Sequence, residues 1–191
     1  MKTKIILIIS AALVMAVSCG QRNAGKNAAA EETALSQEEQ AAVAPEEQYA
    51  PKIAAGTQVE DFTVRTATGE DFTFSSLAGS YAILDFWASW CPDCRREIPA
   101  VKALYEEFSP KGVKFVSFSV DNDADAWQKA LAEEDMAWLQ VSNLIKWKEN
   151  PVAEQFGMNW IPTMFLISPD GKVVDFALTA AAMRTKLQGI L

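Results

Sequence analysis

The apolar run Tyr81-Ala82-Ile83-Leu84-Asp85-Phe86-Trp87 breaks off into Ala88-Ser89-Trp90 and then Cys91-Pro92-Asp93-Cys94-Arg95-Arg96-Glu97-Ile98-Pro99. No other seam in the chain constrains the fold as strongly. A run with large apolar side chains on both alternating sets reads as a strand covered on both faces, which requires layers above and below it. At about 100° per residue along a helix beginning near Pro92, one face collects Cys94, Glu97, Ile98, Val101, Leu104, Tyr105 and Phe108, while Arg95, Arg96 and Lys102 fall outside it. Two thiols spaced by two residues at a helix N-terminus, where free N–H groups stabilise a thiolate, can open and close a disulfide. The same spacing also serves as half of a zinc site or as a small structural disulfide, and spacing alone does not separate these readings. Structural zinc needs two further ligands near the pair, yet the only other cysteine is Cys19 and the chain has no histidine.

The N-terminus carries Lys2 and Lys4, an apolar stretch from Ile5 to Val17, and then small residues. That stretch is too short to span a bilayer comfortably and has the charged, apolar, small-residue order of a secretory signal. Ala16-Val17-Ser18-Cys19 resembles a bacterial lipobox, although Ala16 stands where Leu is usual. The resemblance implies a signal peptide over residues 1–18, with Cys19 left as a lipid-carrying first residue of the mature chain. Residues 19–56 are rich in Ala, Glu and Gln with few large apolar side chains. Such a stretch buries too little apolar surface to offset the entropy of ordering, so it reads as a flexible tether. The formal net charge of -8 argues against nucleic acid and anionic headgroups as partners.

Residues 57–191 suffice for one domain with a real core. Phe62-Thr63-Val64 and Phe72-Thr73-Phe74 flank a Thr68-Gly69-Glu70-Asp71 turn and read as a hairpin. Strands are expected at Tyr81 to Trp87, Val113 to Val120, Trp138 to Val141, Thr163 to Ile167 and Lys172 to Leu178. Helices are expected after Cys91, from Asp125 to Glu134, from Pro151 to Phe156, and from Thr179 onward. Alternating strands and helices followed by a hairpin and a helix imply an α/β fold with helices on both faces of a central sheet. Two carboxylates stand out. Glu97 lies on the apolar face one turn from Cys94, which gives it either a water-facing boundary role or a raised pKa and a proton to exchange with Cys94. Asp85 sits inside the apolar strand, where a charge is costly unless hydrated, paired or protonated.

The run Phe86-Trp87-Ala88-Ser89-Trp90-Cys91-Pro92-Asp93-Cys94, together with Trp160-Ile161-Pro162-Thr163, resembles the thioredoxin superfamily, and within it the membrane-tethered thiol-disulfide oxidoreductases of the TlpA/ResA type. The resemblance covers about Thr57 to Leu191. It implies a thioredoxin-like fold with a central mixed sheet, helices on both faces and an N-terminal β-hairpin extension. It also implies that Cys91 attacks a substrate disulfide from a more exposed position and that Cys94 resolves the mixed disulfide. Asp85 matches the buried aspartate of thioredoxin, Glu97 the active-site glutamate of the family, Pro99 the proline within the thioredoxin helix, and Pro162 the cis-proline that presents Ile161 to substrate. Trp90 and Trp160 are expected to wall the substrate groove beside Pro92 and Asp93, whereas Trp127, Trp138 and Trp147 read as packing residues.

Cys-Pro-x-Cys is the pattern of oxidising DsbA-type proteins, but Asp93 stands where they carry a histidine. A negative charge there opposes the Cys91 thiolate, with Arg95 and Arg96 compensating only partly across solvent. The expectation is a reducing couple, about -200 to -270 mV. By resemblance, the partners are disulfide-containing exported proteins, an inner-membrane electron donor of the DsbD or CcdA kind, and the membrane itself through a lipid on Cys19. No cofactor and no metal are expected. An isomerase or oxidase is the nearest alternative. A peroxidase lacks its threonine, since Ala88 lies three residues before Cys91, and a copper-delivery protein of the Sco type lacks its histidine.

Overall fold

The computed structural model describes residues 48–191. The signal, Cys19 and most of the tether lie outside the described residues. Seven strands form one sheet: β1 (Thr63–Thr66), β2 (Asp71–Thr73), β3 (Ala82–Trp87), β4 (Lys114–Ser119), β5 (Leu139–Ser142), β6 (Thr163–Ile167) and β7 (Val173–Ala177). Four helices accompany them: α1 (Pro92–Phe108), α2 (Ala124–Glu134), α3 (Pro151–Gln155) and α4 (Ala180–Gln188). Single 3-10 turns at Phe74–Leu77, Ser109–Lys111 and Trp147–Glu149 complete the description; sequence periodicity is blind to elements this short.

The strand order is β2-β1-β5-β4-β3-β6-β7. β3, β4 and β5 run parallel, while the β1–β2, β1–β5, β3–β6 and β6–β7 pairs are antiparallel. The sheet is therefore mixed, with the expected N-terminal hairpin at one edge. Parallel neighbours need helical crossovers, which α1 and α2 supply. All six residues of β3 are buried, as befits a strand with a partner on each side. Alternation along it sends Leu84 and Phe86 to one face, where Phe86 meets Phe118, Phe156 and Phe165 at centroid distances of 5.1, 5.2 and 5.8 Å. Ile83 goes to the other face and joins Val101, Leu104 and Phe108 of α1, Met164 and Leu166 of β6, and Met183 and Leu187 of α4. Asp85 shares the parity of Ile83, so it points to the side covered by α1 and α4.

Residues 49–56, read from sequence as the end of the tether, lie on the domain. The Gly56 N–H donates to the Val173 carbonyl at 2.7 Å, and Ile53 packs on the core. Tyr49 and Ile53 are the large apolar side chains of this stretch, and their contacts are what composition averaged over 19–56 conceals.

Candidate active site

α1 starts where it does because Cys91 caps it. Cys91 has extended backbone, φ -89 and ψ 108, and its Sγ accepts the Cys94 N–H at 3.1 Å. Pro92 occupies the first helical position, where a missing N–H costs nothing. Cys91 and Cys94 are joined by a disulfide, with Cα atoms 5.3 Å apart. Both are buried, at 5% and 2% exposure, so the expected contrast between an open and a covered thiol reduces to a small difference in the expected direction. The reason is Ile161, whose carbonyl oxygen lies 3.8 Å from Cys91 Sγ. The Ile161–Pro162 peptide is cis, as the resemblance implies, and Pro162 is buried. Trp90 stands out at 55% exposure, and Trp160 stacks on Tyr49.

The charges around the thiols are paired among themselves. Asp93 forms an ion pair with Arg96. Arg95 turns instead to α2, donating through Nε to Glu134 at 2.7 Å and through Nη2 to Glu133 at 2.9 Å. The two arginines next to the thiols thus spend their charge on carboxylates.

The two sequence-predicted acids meet different partners. Glu97 Oε1 accepts the Ala180 N–H at 2.6 Å, so this carboxylate caps the start of α4, where the helix dipole favours a negative charge. Its tie is to α4, which the expectation of an acid serving Cys94 did not include. Burial pushes the Asp85 carboxyl up from 3.8 to about 7, the Ser117 hydrogen bond opposes the rise, and the Glu97 carboxylate adds to it. Ser117 Oγ donates to Asp85 Oδ2 at 2.9 Å and itself accepts the Trp138 indole N–H at 2.8 Å. Trp138, read as packing alone, orients that hydroxyl.

Sequence reasoning missed Asp121, which is 1% exposed. It accepts the Ser89 N–H at 2.9 Å, the Ser89 hydroxyl at 2.7 Å and the Ser119 hydroxyl at 2.6 Å. This clamps the Ala88-Ser89-Trp90 loop that delivers Cys91 to its helix. The available signal is the acid itself, placed directly after the apolar run Val113–Val120.

A redox-active pair capping a helix, faced by a cis-proline peptide on a mixed sheet, defines a thioredoxin-like protein disulfide oxidoreductase. A profile of the AhpC/TSA family matches residues 55–176, and the chain belongs to that family. It is similar to the thiol-disulfide oxidoreductase ResA of Bacillus cereus, 26% identical over 140 residues, spanning 73% of this chain and 78% of the relative. The ResA of Bacillus subtilis is 28% identical over 122 residues, spanning 64% and 66%. Among solved structures, a thiol-disulfide oxidoreductase from Bacteroides fragilis superposes with a TM-score of 0.66 at 28% identity, over 71% of this chain and 100% of that one. The chain is a thiol-disulfide oxidoreductase of the ResA type.

Proposed function

We propose that this protein is a lipid-tethered reductase of the cell envelope that returns disulfides of exported proteins to dithiols. The observation that carries the reading is the placement of Cys91 Sγ, which holds the Cys94 N–H at 3.1 Å and lies 3.8 Å from the Ile161 carbonyl. An amide donor and the positive end of α1 favour the Cys91 thiolate. In the reduced enzyme that thiolate attacks one sulfur of the substrate disulfide, forming a mixed disulfide and expelling the other substrate sulfur as a thiolate. Cys94 then loses its proton and attacks Cys91 Sγ, closing the internal disulfide and releasing the second substrate thiol. Two electrons pass to the substrate. A dithiol donor of the DsbD or CcdA kind returns them by the reverse exchange.

Asp85 suits the proton step, because a carboxyl with its affinity raised to about 7 can take up and release a proton near neutral pH. Glu97 acts through Asp85, whose proton affinity its charge raises. Trp90, Pro92, Asp93, Trp160, Ile161 and Pro162 form the surface on which the substrate segment lies, and Cys19 carries the anchor. The paired arginines support the reducing direction, since a cation free to stabilise the Cys91 thiolate is what would make the disulfide a strong oxidant.

Equilibration of the purified protein with glutathione buffers tests the direction. A potential of about -200 to -270 mV is expected, and a value near -120 mV makes the protein an oxidant instead. Cys91→Ala abolishes insulin reduction, whereas Cys94→Ala accumulates mixed disulfides with client proteins in envelope extracts. Failure of both variants to behave so removes the dithiol mechanism.

A further inference from the structure

Residues 49–52 are fitted to the loop that leads into the cis-proline peptide. Tyr49 stacks on Trp160 with ring centroids 4.2 Å apart. The Asn159 side-chain amide donates to the Ala50 carbonyl at 3.0 Å, and the Lys52 N–H donates to the Gly157 carbonyl at 3.0 Å. Gly157 has a φ of +60°, and a Cβ there would lie 2.6 Å from the Lys52 Cβ. Glycine alone tolerates both the backbone angle and this approach. One residue beyond Trp160, the Ile161 carbonyl faces Cys91 Sγ.

Trp160 also borders an open cleft of about 780 Å³, together with Lys52, Trp147, Lys148, Gly157 and Met158. Two indoles and a thioether offer apolar surface, and Lys52 and Lys148 outnumber the one carboxylate of the lining, Glu154, on a protein whose formal net charge is -8. That size and mixture suit several residues of an extended chain. Trp160 borders the cleft, and the carbonyl of the next residue, Ile161, lies 3.8 Å from Cys91 Sγ. An extended client bonded to Cys91 advances about 3.3 Å per residue, so a few residues reach from the Ile161 carbonyl to the side of the loop where Trp160 borders the cleft.

We propose that the cleft receives the stretch of client polypeptide flanking the reactive cysteine, and that residues 49–52 are the wall that selects it. Lys52 touches the client directly. Tyr49 is a positioning residue that acts by holding the Trp160 indole. The inference rests on the reading of the protein as a reductase of polypeptide disulfides, and it makes the end of the tether part of the site.

The test uses the full chain with its dithiol reduced. Its oxidation is followed by tryptophan fluorescence on mixing with insulin or with glutathione disulfide, a substrate too small to run far along the cleft. Tyr49→Ala is expected to lower the ratio of the insulin rate to the glutathione rate about three- to ten-fold, the worth of one aromatic stack. Lys52→Glu, which keeps the backbone bond to Gly157, is expected to lower the same ratio. Both variants should retain the parent redox potential. An unchanged ratio, or equal slowing with both disulfides, overturns the wall. A dimer that Tyr49→Ala dissolves while the ratio stays put assigns the cleft to a second copy and also overturns it. If the parent reacts with glutathione disulfide and not with insulin, the reductase reading falls and takes the wall with it.

Discussion

Asp85 on β3 and Asp121 just beyond the end of the neighbouring parallel strand β4 are two buried carboxylates, at 7% and 1% exposure, and they are suited to different tasks. Asp121 gathers three donors: the Ser89 N–H, the Ser89 hydroxyl and the Ser119 hydroxyl. Asp85 receives the Ser117 hydroxyl and stands in the field of a second carboxylate, Glu97. Donors replace the water that burial removes, so the well-served acid is a brace for the loop before Cys91. The poorly served one holds a proton up to about pH 7. Burial with few donors is what raises a carboxyl's affinity for its proton.

The largest effect is expected from breaking the brace. Asp121→Ala strands the Ser89 N–H and two hydroxyls inside the protein and should lower stability by about 3 kcal/mol or more, read as a shift of the urea midpoint. Asp121→Asn keeps an acceptor and should recover part of that loss. A midpoint unmoved by the alanine variant would mean that water serves those donors equally well.

Asp85→Asn sharpens the other half of the contrast. Below pH 3.8 Asp85 is protonated whether the chain is folded or unfolded, so its titration adds nothing. Between 3.8 and about 7 the folded state holds a proton that the unfolded state has released, and stability falls as pH rises across that window. Above about 7 the cost is complete, on the order of a few kcal/mol. The asparagine variant should therefore gain on the parent progressively from pH 4 to pH 8. Parallel stability curves for the two proteins would sink the assignment. In turnover, the variant should lose the limb of the pH profile that titrates near 7 while retaining Cys91 chemistry.

The smallest change is expected from Glu97→Gln. The amide oxygen still accepts the Ala180 N–H, so stability should move by less than about 1 kcal/mol, the usual worth of one charge at a helix N-terminus. Removing the like charge should bring the Asp85 titration down from about 7, visible as a fall in the stability–pH curve that begins at the same pH but ends at a lower one and is smaller. An unmoved Asp85 titration would show that the two carboxylates do not feel each other.

Much of this molecule is local and was readable in order along the chain. The covered strand Ala82–Trp87, the helix beginning at Pro92, the hairpin and the terminal strands follow from apolar spacing, from capping residues, and from glycine and proline at the turns. The Cys91–Cys94 pair was recognisable as a short motif whose chemistry depends on neighbours in sequence, whereas the Ile161–Pro162 peptide took its meaning from the family resemblance, since an Ile-Pro step by itself reads as a turn. Tertiary structure decided that Asp85 would keep a proton and that Asp121 would hold a loop through Ser89 and Ser119. That outcome turns on parallel register, which sets Asp85 opposite Ser117, and on a loop crossing that brings Ser89 to Asp121. It likewise decided that Tyr49 belongs to the domain, through a stack with Trp160. Spacing along a chain encodes which way a side chain points from its own element, whereas hydrogen bonds and stacking depend on what a distant segment places within about 3 to 4 Å of it.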